Sequence, residues 1–219
     1  MKKIIILLFP LFLYATEGGG YGGFSIWMTQ PDLKAMNDDI ENIQNLRFED
    51  AYIGMGGSGW AIIGRIVLGG GGFGGRQVLS NDSMKIMGAY GGGFFEPGYH
   101  LSMKRLSVDL ILGIGGGGYT LTLYKGLKDT TWTDILSEPR RMAEITFGGF
   151  ALQPALRIVL PISFIGISLK GGYIFYPSKP EPKFSDGGNV LNPPDVSLSG
   201  PFVSFSLVFG GKGGLEKGM

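Results

Sequence analysis

The stretch Val108-Asp-Leu-Ile-Leu-Gly-Ile-Gly-Gly-Gly-Gly-Tyr119 decides how this chain is read. Val108, Leu110, Leu112 and Ile114 fall on one parity, while Asp109, Gly113, Gly115 and Gly117 fall on the other, and a period of two is the period of a β-strand. A helix is disfavoured here because each interior glycine weakens it by about 1 kcal/mol relative to alanine. The same texture returns at 69–72 and 91–93, and 40 of the 219 residues are glycine. Long strands with one apolar face and one face nearly free of side chains suit the wall of a small closed barrel, whose interior has little room.

Read outward from that segment, the period predicts eight strands, at about 20–29, 50–57, 60–73, 83–95, 104–122, 142–159, 162–176 and 200–210. The second and third are joined by a turn at Gly57-Ser58-Gly59, and the sixth and seventh by Leu160-Pro161. Long and short connections alternate, as they do where long outer loops face short periplasmic turns. The expected lipid-facing parity is Trp60, Ile62, Ile66 and Leu68; Met84, Ile86, Tyr90 and Phe94; Val108, Leu110, Leu112 and Ile114; Thr146, Phe150, Leu152, Leu156 and Ile158; Ile165, Ile167, Leu169, Tyr173 and Phe175; and Val203, Phe205, Leu207 and Phe209. The opposite parity carries Arg65, Lys85, Arg105, Asp109, Gln153, Arg157 and Lys170, expected to form a mainly structural polar cluster in the lumen. Trp27, Tyr52, Trp60, Phe94, Phe95, Tyr99, Tyr119, Tyr124, Phe147, Phe164, Phe175, Tyr176 and Phe202 lie near strand ends, where interfacial aromatic girdles are expected.

One segment has helical period. After Pro31 and Asp32, residues Leu33, Met36, Ile40, Ile43 and Leu46 share a stripe, with Asp38, Asp39 and Glu41 opposite. A helix this short is marginal alone, so its stripe must pack on something, either as a cap on the outer mouth or as a plug in the lumen. Pro177, Pro180, Pro182, Pro193 and Pro194 predict a stiff, extended loop over 177–199.

Composition bounds the rest. Lys2 and Lys3 ahead of the apolar run Ile4–Tyr14 read as a secretory signal, residues 1–15, which leaves 16–219 as a single barrel domain. Removing those two lysines from nineteen Lys+Arg leaves seventeen against eighteen Asp+Glu, a balance that offers no basic surface to nucleic acid. The chain has no cysteine, which removes disulfides and thiolate metal sites. Gly54-Met-Gly-Gly-Ser-Gly59 fits a dinucleotide-loop pattern, but the glycines that follow cannot open the helix that the chemistry needs. Lys212 among glycines lacks the Ser or Thr of a phosphate loop, and the single histidine, His100, is read as an exposed turn residue beside Pro97 and Gly98. No catalytic set, metal site or cofactor is expected.

Phe202-Val-Ser-Phe-Ser-Leu-Val-Phe209 resembles the aromatic-ended terminal strand of outer-membrane barrels, and the strand count, faces and loop alternation across about 20–210 resemble the small eight-stranded outer-membrane β-barrel proteins. The resemblance implies an all-β, closed, antiparallel up-and-down barrel in the outer membrane, in contact with its lipid, with no enzyme active site. A structural or surface-interaction role then falls to the loops, through an extracellular or periplasmic partner. The alternatives are a soluble periplasmic barrel that binds an apolar ligand inside, and a secreted enzyme.

Overall fold

The computed structural model describes residues 17–103, 106–125 and 142–214. Its elements are β1 (Glu17–Thr29), α1 (Lys34–Gln44), β2 (Tyr52–Ile63), β3 (Ile66–Ser80), β4 (Met84–Ser102), β5 (Ser107–Lys125), β6 (Met142–Ile162), β7 (Ile165–Ile174), the two-residue β8 (Lys183–Phe184) and β9 (Gly200–Gly214). Every pairing is antiparallel, and β1 to β7 with β9 form a ring that closes through β1–β9 and β5–β6. The expected leader and the loop around 126–141 lie outside the described residues.

Register fixes the geometry of the ring. The partner of Gly19 is Ile62, and the line continues through Val67, Gly98, Ile111, Ala155, Gly172 and Phe202 to return on Thr29, ten residues up β1. A stagger of ten residues around eight strands corresponds to strands tilted by about 40° from the barrel axis. The line of partners therefore climbs as it circles. One end of the barrel carries the helix-bearing connection and the segment 175–199; the other carries both described termini and the hairpins at Gly64–Arg65 and Ser163–Phe164.

The strand boundaries differ from the sequence expectation at the reversals: Leu160-Pro161 lies inside β6, which turns at Ser163–Phe164, and β4 runs on through Pro97-Gly98. Gly57-Ser58-Gly59 is not a turn: it lies inside β2, and the reversal comes at Gly64, whose φ of +61° supplies the left-handed residue of a two-residue hairpin. Trp60 and Ile62 therefore belong to β2 and not to the next strand, and both are buried inside. In β4 the parity is likewise the reverse of the one expected: Ile86, Tyr90 and Phe94 point inward. In β3, β5, β6, β7 and β9 the expected apolar parity does face outward, with Leu110, Phe150, Leu169 and Phe205 all exposed. The physical reason is that both faces are rich in large apolar groups, so hydrophobicity alone cannot say which face is the interior.

The aromatics divide accordingly. Phe95, Tyr99, Phe164 and Phe175 are exposed on the outside, but Trp27, Tyr52, Trp60, Phe94, Tyr119, Phe147, Tyr176 and Phe202 fill the inside and are not girdle residues. Trp27 stacks between Phe73 and Phe202, with ring centroids 4.6 and 5.1 Å away. Inward glycines make room for such rings: a methyl group on Gly88 would overlap the Tyr119 hydroxyl, which meets that of Tyr52 at 2.8 Å.

Two apolar clusters close the interior. Tyr21, Trp60, Ile62, Val67, Val159 and Val208 fill the short-turn end. Toward the loop end the aromatic cluster is continuous with Leu33, Met36 and Ile40 of the helical segment and with Val196 and Leu198 of the 175–199 connection. The stripe thus packs onto the loop-side mouth, with two exceptions to the expectation: Ile43 is 75% exposed and Leu46 only borders the cluster, its place being taken by Phe48, buried to 1%. The Asn37 side chain locks this arrangement, donating to the Phe48 carbonyl at 3.2 Å and accepting from the Phe48 N–H at 3.3 Å. Asn37→Leu should leave both backbone groups unpaired at a cost of about 1–3 kcal/mol. Hydrogen exchange should then show α1 losing protection while the barrel strands keep theirs.

Candidate functional site

The groups with chemistry lie in one interior layer between the two apolar clusters. His100, Asp109, Arg157, Lys170, Ser204 and Trp27 are successive register partners on β4, β5, β6, β7, β9 and β1. All six side chains point inward and form a row that climbs with the stagger from the short-turn end. Asp109 accepts from Arg157 Nε at 2.9 Å and meets His100 Nδ1 at 2.7 Å. Glu96, on the same face of β4 as His100, takes Lys170 Nζ at 2.6 Å and lies 3.5 Å from Arg157 Nη1. Gln153 Oε1 completes the Lys170 contacts at 3.5 Å.

Two carboxylates thus face two cations, all at most 4% exposed. Burying four charges is tolerable only because each is paired, and two tryptophans add to the pairing. Arg157 Cζ stands 3.6 Å above the Trp60 ring centroid, and Lys170 Nζ 4.3 Å from that of Trp27. The tryptophans separate the ion layer from the apolar fill on either side of it.

Of the seven polar residues expected in the lumen, Asp109, Gln153, Arg157 and Lys170 meet here. Arg65 does not: it sits exposed in the β2–β3 turn, 3.0 Å from the Tyr99 hydroxyl. Lys85 points outward near the loop end of β4, because that strand's parity is the reverse of the expected one. Arg105 lies outside the described residues. Glu96 and His100 were hidden by Pro97-Gly98, which reads as a turn in sequence but sits mid-strand, where Pro97 only interrupts the β4–β5 pairing between Phe95 and Gly98. His100 is therefore a buried partner of Asp109 and not an exposed turn residue. The signal that could have exposed both is the parity they share with Phe94 within an apolar strand.

No protein-family model matches the chain, and no curated protein matches it in sequence. Solved structures do. Ail, the attachment invasion locus protein of Yersinia pestis, solved in complex with a heparin analogue, is 11% identical, with 88% of this chain and 98% of that one covered at a TM-score of 0.48. A major outer membrane protein of Thermus thermophilus is 9% identical over 88% and 99% of the two chains, at 0.49. The outer membrane protein OprG of Pseudomonas aeruginosa is 9% identical over 89% and 95%, at 0.29.

The outside of the barrel contrasts with its inside. Among the described residues, the outward positions of the eight barrel strands carry only Arg76, Lys85 and Glu144 as charged side chains, all toward the loop end. Below them runs an apolar belt in which Phe24 and Met55 are each 77% exposed, with Leu110, Leu156, Leu169 and Phe205 at mid-height. No described helix is long and apolar enough to cross a membrane.

The loop end is polar and built. Arg47 bridges Asp38 at 3.2 Å and Glu41 at 2.9 Å on the exposed side of α1, and these carboxylates, Glu41 foremost, hold its guanidinium above its usual pKa. The proline-rich segment is not extended as expected. Its Lys183–Phe184 pairs with Ile145–Thr146, and Val196 and Leu198 alternate with Ser197 and Ser199 so that the apolar pair turns into the mouth, where Tyr90 donates to the Leu198 carbonyl at 3.1 Å. Burial in that mouth pushes the Tyr176 phenol up, partly offset by a hydrogen bond with Tyr90.

Proposed function

We propose that this chain is an exported, integral outer-membrane barrel, closed to solutes, that acts as a non-catalytic structural protein and presents its loop end for surface interaction. The observation that carries the reading is the outer wall: a girdle of exposed Leu, Ile, Val and Phe, interrupted by no charge below Arg76 among the described residues. A monomer in water rarely leaves apolar patches larger than a few hundred Å² uncovered, whereas a barrel with every backbone group paired is one of two structures that lipid tolerates. The filled interior supports the closed state, since the ion layer is sealed above and below by aromatic and aliphatic side chains. That filling also leaves the Glu96, Asp109 and His100 set out of reach of a substrate. A surface role is supported by the packed cap formed by α1 and 175–199, with exposed Ile43 and Leu191 available to a partner.

Fractionation tests this directly. The protein should stay in outer membranes through a carbonate and urea wash, and an unboiled sample should run as a compact band that slows on heating. Release into the soluble periplasmic fraction would instead favour an aqueous barrel and remove the membrane reading.

A further inference from the structure

We propose that the ion layer is a binding site for water, held in order among Trp60, Glu96, Gln153 and Arg157 and at the free ring nitrogen of His100. The site lies inside the barrel, so the proposal stands apart from the membrane reading.

The pairings within the layer leave polar atoms over. Among the described residues, Trp60 Nε1, Gln153 Nε2 and Arg157 Nη2 donate to nothing, Glu96 Oε2 accepts no hydrogen bond, and His100 Nε2 has no partner. All five side chains belong to residues at most 5% exposed. A buried polar atom without a partner is costly, and five in one layer are more than a packed interior tolerates unless something satisfies them.

Four of the five converge. Glu96 Oε2 lies 3.5 Å from Arg157 Nη1, and the guanidinium that carries Nη2 stands 3.6 Å over the Trp60 ring. Lys170 Nζ joins Glu96 Oε1, at 2.6 Å, to Gln153 Oε1, at 3.5 Å. An ammonium can only donate, so the amide oxygen of Gln153 faces the lysine and its NH2 is left over. The same side chain lies across Gly113, where a Cβ would come within 3.2 Å of its Oε1.

The mixture of atoms selects the ligand. An anion could satisfy the three donors but not Glu96 Oε2, and a cation the reverse; water accepts and donates, and a buried water typically makes about three hydrogen bonds. His100 Nδ1 is engaged by Asp109 at 2.7 Å, which leaves Nε2 to accept if the ring is neutral and to donate if it is charged, and water answers either. Charge points the same way. The carboxylates of Asp109 and Glu96 and the cations of Arg157 and Lys170 cancel, so a bound ion would bring net charge into the interior and water would not.

A separate feature extends the polar surface. The next inward row toward the short-turn end is Ser107, Val159, Ser168, Ser206 and Ser25, successive register partners at most 5% exposed. Four hydroxyls thus line the short-turn side of the layer, within an otherwise apolar filling.

The test is a crystal structure of the mature chain, grown with sodium bromide and measured at the bromine absorption edge, at a resolution that locates ordered solvent. A peak should lie within hydrogen-bond distance of Trp60 Nε1 and of at least one of Glu96 Oε2, Gln153 Nε2 and Arg157 Nη2, without anomalous signal. An anomalous peak there would mark an anion site and overturn the proposal, as would no peak at all. Gln153→Met gives a second reading by urea unfolding. With water bound, the variant loses a hydrogen bond and its folding equilibrium constant should fall about fivefold. An unchanged or larger constant overturns the proposal, because removing an amide that has no partner relieves the fold.

Discussion

Arg157→Met is expected to destabilise the barrel by about 3–5 kcal/mol, because it strands charge without removing the demand for it. Asp109 would lose its 2.9 Å partner and Glu96 one of its two cations, both in an interior with no water-facing side. The loss of the guanidinium stacked on Trp60 adds to the effect. The double substitution Arg157→Met with Asp109→Asn should recover much of the stability, since the pair leaves together and the remaining Lys170–Glu96 pair stays neutral. Urea unfolding in lipid vesicles, followed by tryptophan fluorescence, measures both; Trp60 and Trp27 lie in the layer and report it directly. A double variant as unstable as the single one would mean that the layer acts through shape and not through charge balance.

Leu169→Arg carries the second large effect, and its size depends on what surrounds the wall. Leu169 lies mid-strand on β7, is 48% exposed, and is flanked in register by Ile158 and Phe205. In a bilayer, an arginine at this depth should cost about 2–4 kcal/mol. On a barrel in water the same exposed substitution should stay within about 0.5 kcal/mol. Measuring the unfolding free energy of Leu169→Arg in vesicles thus weighs the solvent of the outer wall independently of fractionation. Leu169→Ser serves as the control for lost apolar area without charge.

The strand texture was legible in the chain because glycine and alternation leave few other options: β5, β6, β7 and β9 run close to their expected spans with the expected face outward. The helix was legible too, from Leu33, Met36 and Ile40 at helical spacing. What failed, failed for two reasons. Gly57-Ser58-Gly59 and Pro97-Gly98 have the composition of turns, yet both lie inside strands, where neighbours on each side supply the pairing that local propensity would refuse. Misplacing a reversal by a few residues moved Trp60 and Ile62 to the wrong strand, and in β4, where both faces carry large apolar groups, hydrophobicity took the inner face for the outer one. Glu96 and His100 disappeared from the expected cluster through the Pro97-Gly98 boundary, Arg65 entered it through the misplaced β2 reversal, and Lys85 entered it through the reversed parity of β4.

The sequence by itself determined that the chain is built of long, glycine-rich antiparallel strands with a short amphipathic helix, since period and composition act over a few residues and need no partner. Only the tertiary structure decided which face of β2 and β4 is interior, and that Asp109 serves Arg157 and His100 while Glu96 serves Lys170. Those facts follow from the ten-residue stagger of a closed ring, which sets residues far apart in the chain side by side and is a property of all eight strands at once.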